Sequence, residues 1–164
     1  MARILIIGGG CRGRLLGSML VEDGHAVRAT TRSEAGRAAI EAAGGECWIG
    51  TPERLATLRG ALDAVTIACW LLGTASGPQD EVAPLHGTRL ELFLTQAIDT
   101  TVRGVLYEAA GTVAPELLQH GTDTATRLAA ASQIPLRVLG EDPAQADAWA
   151  LAAHGAIAEL LVRA

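Results

Sequence analysis

Short runs of β-branched and other apolar residues alternate along this chain with longer stretches in which apolar residues recur every three or four positions. The short runs read as strands and the longer ones as helices, so the pattern predicts repeated strand–helix units. Six strands are expected, at Arg3–Ile7, Ala26–Thr30, Glu46–Ile49, Ala64–Cys69, Gly104–Glu108 and Leu136–Leu139. Each is short and largely apolar, as befits strands buried on both faces of a parallel sheet. Helices are expected at Arg12–Glu22, Ser33–Ala43, Pro52–Ala61, Gly87–Asp99, Thr122–Ser132 and Pro143–Val162. Ser33 stands as an N-cap before Glu34, and Thr51-Pro52 puts proline at a first helical position. The predicted fold class is therefore α/β: a doubly wound parallel six-stranded sheet with helices on both faces, in three α/β/α layers. The chain has 164 residues and no internal linker rich in Pro, Gly and Ser, so a single domain over residues 1–164 is expected. The longest stretch without periodicity, Leu71–Gly87, follows the fourth strand, where open α/β sheets take their ligands.

The link from the first strand to the first helix reads Gly8-Gly9-Gly10-Cys11-Arg12-Gly13, which holds G-x-G-x-x-G at Gly8, Gly10 and Gly13. In this setting the first glycine permits a tight turn, the second lets backbone approach a pyrophosphate, and the third lets helix and strand pack closely. The helix N-terminus then turns free N–H groups and its positive dipole end toward the phosphates. Gly8, Gly10, Cys11, Arg12 and Gly13 are the predicted cradle of a dinucleotide; the alternative is a glycine turn without a ligand. Arg12 either reaches a phosphate or is a solvated loop residue. At the end of the second strand, where an acid would hold the ribose 2′-hydroxyl of NAD, the sequence offers Thr30, Thr31 and Arg32. Thr31 and Arg32 suit a 2′-phosphate, so the expected cofactor is NADP in preference to NAD; the alternative for Arg32 is a solvated surface arginine.

Composition narrows the partners. Mean hydropathy is +0.28 and 49% of residues are hydrophobic, yet no apolar run approaches the ~20 residues of a membrane span. The apolar start breaks into glycine too early for a secretory signal, so a cytoplasmic protein is expected. A net charge of -5 and a pI near 5.3 oppose a nucleic-acid footprint. The expected partners are the dinucleotide and a small-molecule substrate, without nucleic acid or membrane. Cys11, Cys47 and Cys69 lack paired spacing and read as reduced thiols. His25, His86, His120 and His154 lack metal-ligand spacing, so no metal is expected.

Taken in order, "ILIIGGGCRG", "GHAVRATTRS", "GGECWIGTPERLATLRGALDAVTIA" and "IPLRVLGEDP" make the chain resemble the atypical and extended short-chain dehydrogenase/reductase superfamily, the NAD-dependent epimerases/dehydratases. The resemblance implies a Rossmann domain, with the cofactor chosen at the second strand end and its adenine met by a G-D-[LP] turn after the third strand. Here that turn is Gly50-Thr51-Pro52, so Thr51 stands where the family has an aspartate. The family's small-residue run along the cofactor is matched loosely by Ala68–Gly73, in which the bulky Trp70 either lines the cofactor or shapes the pocket.

The family's active enzymes use a Tyr-x-x-x-Lys pair, and this chain contains no lysine. Its only tyrosine, Tyr107, precedes Gly111 by four positions, falls in the fifth strand and reads as structural. Other candidate acids are Glu108 at that strand's end and His86 and His120, each expected in a loop beyond a strand's carboxyl end; exposure to solvent is the alternative for all three. A substrate pocket is expected from the Leu71–Gly87 loop, the Ala109–Gly121 segment or a second subunit. In the last helix Ala148, Leu151, Ala152, Ile157, Leu160 and Leu161 form a broad apolar face for the sheet, and with Trp149 also suit a homodimer. Two functions follow: a small NADP-dependent oxidoreductase or epimerase-like enzyme without the usual pair, or a non-catalytic dinucleotide sensor or partner subunit.

Overall fold

In the computed structural model, which describes residues Met1–Ala164, the chain runs β1 (Arg3–Gly8), α1 (Gly10–Glu22), β2 (Ala26–Thr31), α2 (Arg37–Ala42), β3 (Glu46–Ile49), β4 (Ile67–Leu71), α3 (Gln79–Val82), α4 (Thr88–Ile98), β5 (Gly104–Glu108), α5 (Pro115–Ser132), β6 (Leu136–Leu139) and α6 (Ala146–Arg163). Short 3-10 turns lie at Glu34–Gly36, Leu55–Leu58, Gly60–Leu62 and Ala83–His86. The strands pair in parallel in the order β3-β2-β1-β4-β5-β6. Strand order reverses between β1 and β4, so their carboxyl ends open the crevice where such sheets bind ligands.

Alternation along the central strands feeds two cores. Ile4 and Ile6 of β1, Ile67 and Cys69 of β4 and Leu106 of β5 pack with Leu16 and Leu20 of α1 and Trp149, Ala153, Ile157 and Leu160 of α6. Leu5, Ile7, Ala68, Trp70, Val105 and Tyr107 face the other way, onto Leu90, Phe93 and Leu94 of α4 and Ala125 of α5. β4 and β5 are buried at every position, and each large aliphatic or aromatic side chain so enclosed contributes about 1.5–3 kcal/mol of transfer free energy.

Several expected elements shift. β4 starts at Ile67 rather than Ala64 because Ala64 takes a left-handed φ of 57° and ends a turn. No α-helix starts at Pro52: Thr51 and Arg54 form an isolated bridge, and two 3-10 turns follow. α5 starts at Pro115, seven residues before the expected Thr122, because Pro115 occupies the first helical position. His120 therefore sits on a helix, not in a loop. The Leu71–Gly87 stretch contains α3 and the Ala83–His86 turn. Ser33 holds the N-cap position of the Glu34–Gly36 turn without a side-chain capping bond. In α6 the buried face is Trp149, Ala150, Ala153, Ile157 and Leu160, while Leu151 is 64% exposed. Alanine on all sides leaves the face undefined in sequence; the indole of Trp149, turned fully inward, sets it and is therefore not an interface residue.

Candidate dinucleotide-binding site

β1 ends in Gly8, Gly9 and Gly10 with φ of 83°, 85° and 54°, a left-handed run that side-chain-bearing residues adopt only at a cost. A Cβ on Gly8 would lie 2.4 Å from the Leu71 carbonyl oxygen, and one on Gly13 would lie 3.0 Å from the Gly8 carbonyl oxygen. These two positions thus let the turn pass β4 and seat α1 on β1. At Gly10 a Cβ would meet nothing within 4 Å: the space before it is open, as close approach by a ligand requires. The α1 ladder starts with the Gly13 N–H donating to the Gly9 carbonyl at 3.0 Å, so the N–H groups of Gly10, Cys11 and Arg12 precede it. The residues fit a pyrophosphate, with backbone donors and no Cβ in the way.

Gly10 and Gly13 border an open cleft that runs to Thr30, Thr31 and Gly36 at the end of β2. The Thr31 hydroxyl donates to the Ser33 carbonyl at 3.3 Å. Arg14 also lines this cleft; its guanidinium meets the exposed Cys11 Sγ at 3.0 Å and no carboxylate. Sequence reasoning missed Arg14, although its place directly after the third glycine was a signal. Arg32 lies beyond, 72% exposed, and pairs with Glu53 of the turn after β3. The Thr51 hydroxyl donates to the same Glu53 carboxylate. Burial alone would raise the Glu53 carboxyl, but hydrogen bonds from Thr51, its own amide and Arg32 outweigh it and hold it below the ordinary carboxylate value.

Arg12 turns the opposite way, toward the carboxyl ends of β4 and β5. Its Nη2 donates to both oxygens of Glu108, at 2.7 and 3.0 Å, and its Nη1 to the Gly9 carbonyl and the Thr74 hydroxyl, each at 3.2 Å. Glu108 is fully buried. It also accepts from the Gly73 N–H and from Trp149 Nε1, each at 2.7 Å. The Arg12 guanidinium lies 4.9 Å from the centre of the Trp149 ring, within cation–π range. Arg12 is thus neither solvated nor aimed at the end of β2, and Glu108 is no solvent-facing charge. No local spacing marks the pair, whose members are 96 positions apart.

The remaining candidates lie elsewhere. Trp70 is fully buried on the α4 side of β4, its ring 4.8 Å from Phe93 and its Nε1 donating to the Leu85 carbonyl at 2.9 Å. Strand alternation directs it into the α4-side core, sealed from any ligand, against the expectation that it lines the cofactor. His86 is fully buried as well. Its Nε2 donates to the Leu72 carbonyl at 3.0 Å, so its Nδ1 accepts from the Tyr107 hydroxyl at 2.7 Å. Burial pushes the imidazole below its ordinary value against the pull of the Leu72 carbonyl. Burial, with the Glu108 charge adding to it, pushes the Tyr107 phenol up. His120 is exposed on α5 near Gly87. Past β5 and β6 lies a second open cleft, lined by Ala109, Gly111, Leu118, Gln119, Thr122 and Asp142 among others.

No protein-family profile matches the chain, and no curated protein does. Solved structures do. Vestitone reductase from alfalfa (Medicago sativa) matches at a TM-score of 0.63 and 14% identity over 84% of this chain and 56% of its own. The Citrobacter sp. triphenylmethane reductase complexed with NADP(H) matches at 0.62 and 18%, over 83% of this chain and 48% of its own. UDP-glucuronic acid 4-epimerase from Bacillus cereus in complex with NAD matches at 0.64 and 12%, over 83% and 54%. The chain spans about half the length of each of these proteins. No helix is long and apolar enough to cross a membrane. At the level of the fold the resemblance read in the sequence holds: the chain has the Rossmann-like fold that these reductases and this epimerase share.

Proposed function

We propose that the chain binds a nicotinamide dinucleotide across the Gly8–Gly13 turn, with NADP(H) preferred. The open space before Gly10, inside an otherwise crowded left-handed glycine run, is the observation that carries this reading. Backbone N–H groups at the start of α1 would hold the pyrophosphate, and Thr31, Arg32 and Arg14 would surround the adenosine ribose. The preference rests on the two arginines beside the cleft and on the lack of an acid at the end of β2. Fold neighbours complexed with NAD and with NADP(H) support the cofactor class.

When bound, the nicotinamide supplies hydride transfer. The chain's own residues favour a sensor or partner subunit over an enzyme. Glu108 is enclosed by four donated hydrogen bonds and His86 by two partners, so neither meets a substrate in this arrangement.

Calorimetric titration of the cofactor-stripped protein with NADPH and NADH at matched salt tests the reading. Gly10→Val, with its fold checked by circular dichroism, should abolish binding; unchanged affinity would remove the pyrophosphate role. Oxidation of NADPH on addition of small aldehydes or ketones would instead favour the reductase-like enzyme.

A further inference from the structure

The turn after β3 is built independently of Glu53. The Gly50 N–H donates to the Thr31 carbonyl at 2.9 Å, which fastens the turn to the end of β2. The Thr51 N–H donates to Thr57 Oγ1 at 2.9 Å, and that hydroxyl lies within donating distance of the Arg54 and Thr51 carbonyls, at 2.6 and 3.2 Å. The Arg54 N–H donates to the Thr51 carbonyl at 3.0 Å. This internally bonded turn presents the Glu53 carboxylate to two donors. The Thr51 hydroxyl takes one oxygen and the Arg32 guanidinium the other. Glu53 remains 31% exposed beside the β2 end, where Thr30, Thr31 and Arg14 line the cleft.

We propose that Glu53 is the specificity-determining residue of this site: its carboxylate rests on Arg32 in the position that a ribose 2′-phosphate would take. The inference depends on the dinucleotide reading and adds to it a resident competitor. A 2′-phosphate must displace Glu53 from Arg32 and then tolerate a carboxylate beside it, which is a repulsive element against the phosphorylated ligand. A ribose 2′-hydroxyl displaces nothing, because it can donate to the carboxylate where it stands. Glu53 thus supplies from the β3 turn the acid that the β2 end lacks, and it moderates the preference for NADP(H) that Arg32 and Arg14 create. Arg14, which has no carboxylate partner, is the cation left for the phosphate while Arg32 is paired.

The test measures affinities for NADPH and NADH by calorimetry in the wild type, Glu53→Gln, and the Arg32→Ala/Glu53→Gln double variant, at one salt concentration. Glu53→Gln keeps the size, removes the charge and exchanges one acceptor oxygen for an NH2 donor. It should raise the NADPH-to-NADH affinity ratio by about tenfold or more, through tighter NADPH binding and weaker or equal NADH binding. Adding Arg32→Ala should cancel that gain. Wild-type binding of both nucleotides with a ratio moved less than about twofold by Glu53→Gln would overturn the role of Glu53 and leave the dinucleotide reading intact. A gain that survives Arg32→Ala would overturn it equally, since the competition would not be for that guanidinium. Binding of neither nucleotide by the wild type would overturn the dinucleotide reading, and this inference with it.

Discussion

Glu108 stands at the end of a strand that is buried at every position, where a carboxylate is tolerated only if its oxygens are met. Arg12, Gly73 and Trp149 meet them. Removing one partner from such a pair costs more than the pair itself contributes, because the other charge stays out of water. Glu108→Gln should therefore destabilise the fold by about 3 kcal/mol in urea unfolding, and Arg12→Met in the same background should restore part of that loss. Trp149→Phe removes one donor, shrinks a fully buried ring and weakens its contact with the guanidinium, and should cost about 2–3 kcal/mol. If Glu108→Gln unfolds at the wild-type midpoint, the pair is not a structural clamp. Little of this was readable beforehand. A glutamate closing an apolar strand is visible in sequence, but a partner in the first helix is not, because contact across the sheet leaves no local spacing to detect.

The strands were legible because burial on both faces demands continuous apolar runs, and runs such as Ile4-Leu5-Ile6-Ile7 have few other readings. Boundaries failed where backbone conformation decided them, as at Ala64 with its positive φ and at Pro52, whose turn is closed by the Thr57 hydroxyl rather than by a helix. The seating of α5 on β5 turns on Gly121, where a Cβ would lie 1.9 Å from the Tyr107 hydroxyl oxygen. Gly121→Ala should therefore push the helix outward and cost about 2 kcal/mol. Tyr107→Phe in the same chain should recover part of that cost, and thermal melts of the single and double variants give the coupling. Full additivity would mean that helix and ring adjust separately.

For the molecule as a whole, pH enters through His86. Its folded-state value lies below the ordinary 6.5, so acid protonates the unfolded chain before the folded one. Stability is then flat above about pH 6.5 and falls as pH drops below it. Glu53, whose folded-state value is also lowered, adds a loss of the same sign at more acid pH. Melting temperatures at about pH 7.5 and about pH 5.5 should show the decline, and His86→Gln should flatten it over that interval. A wild-type slope preserved in His86→Gln would place the titration elsewhere.

The bond between Trp149 and Glu108 also gives the molecule an optical property. Of its three tryptophans, Trp70 is sealed in the core against Phe93 and Trp48 lies partly exposed near the β3 edge. Trp149 alone has its indole N–H on a carboxylate, and the Arg12 guanidinium lies against its ring, as that of Arg28 lies over the ring of Trp48. Arg12 belongs to the glycine turn, so a ligand that draws it outward changes the electric field across the excited indole of Trp149. With Trp48 and Trp70 replaced by phenylalanine, the emission of the remaining tryptophan becomes an unlabelled gauge of events at the turn, readable in a cuvette without any turnover.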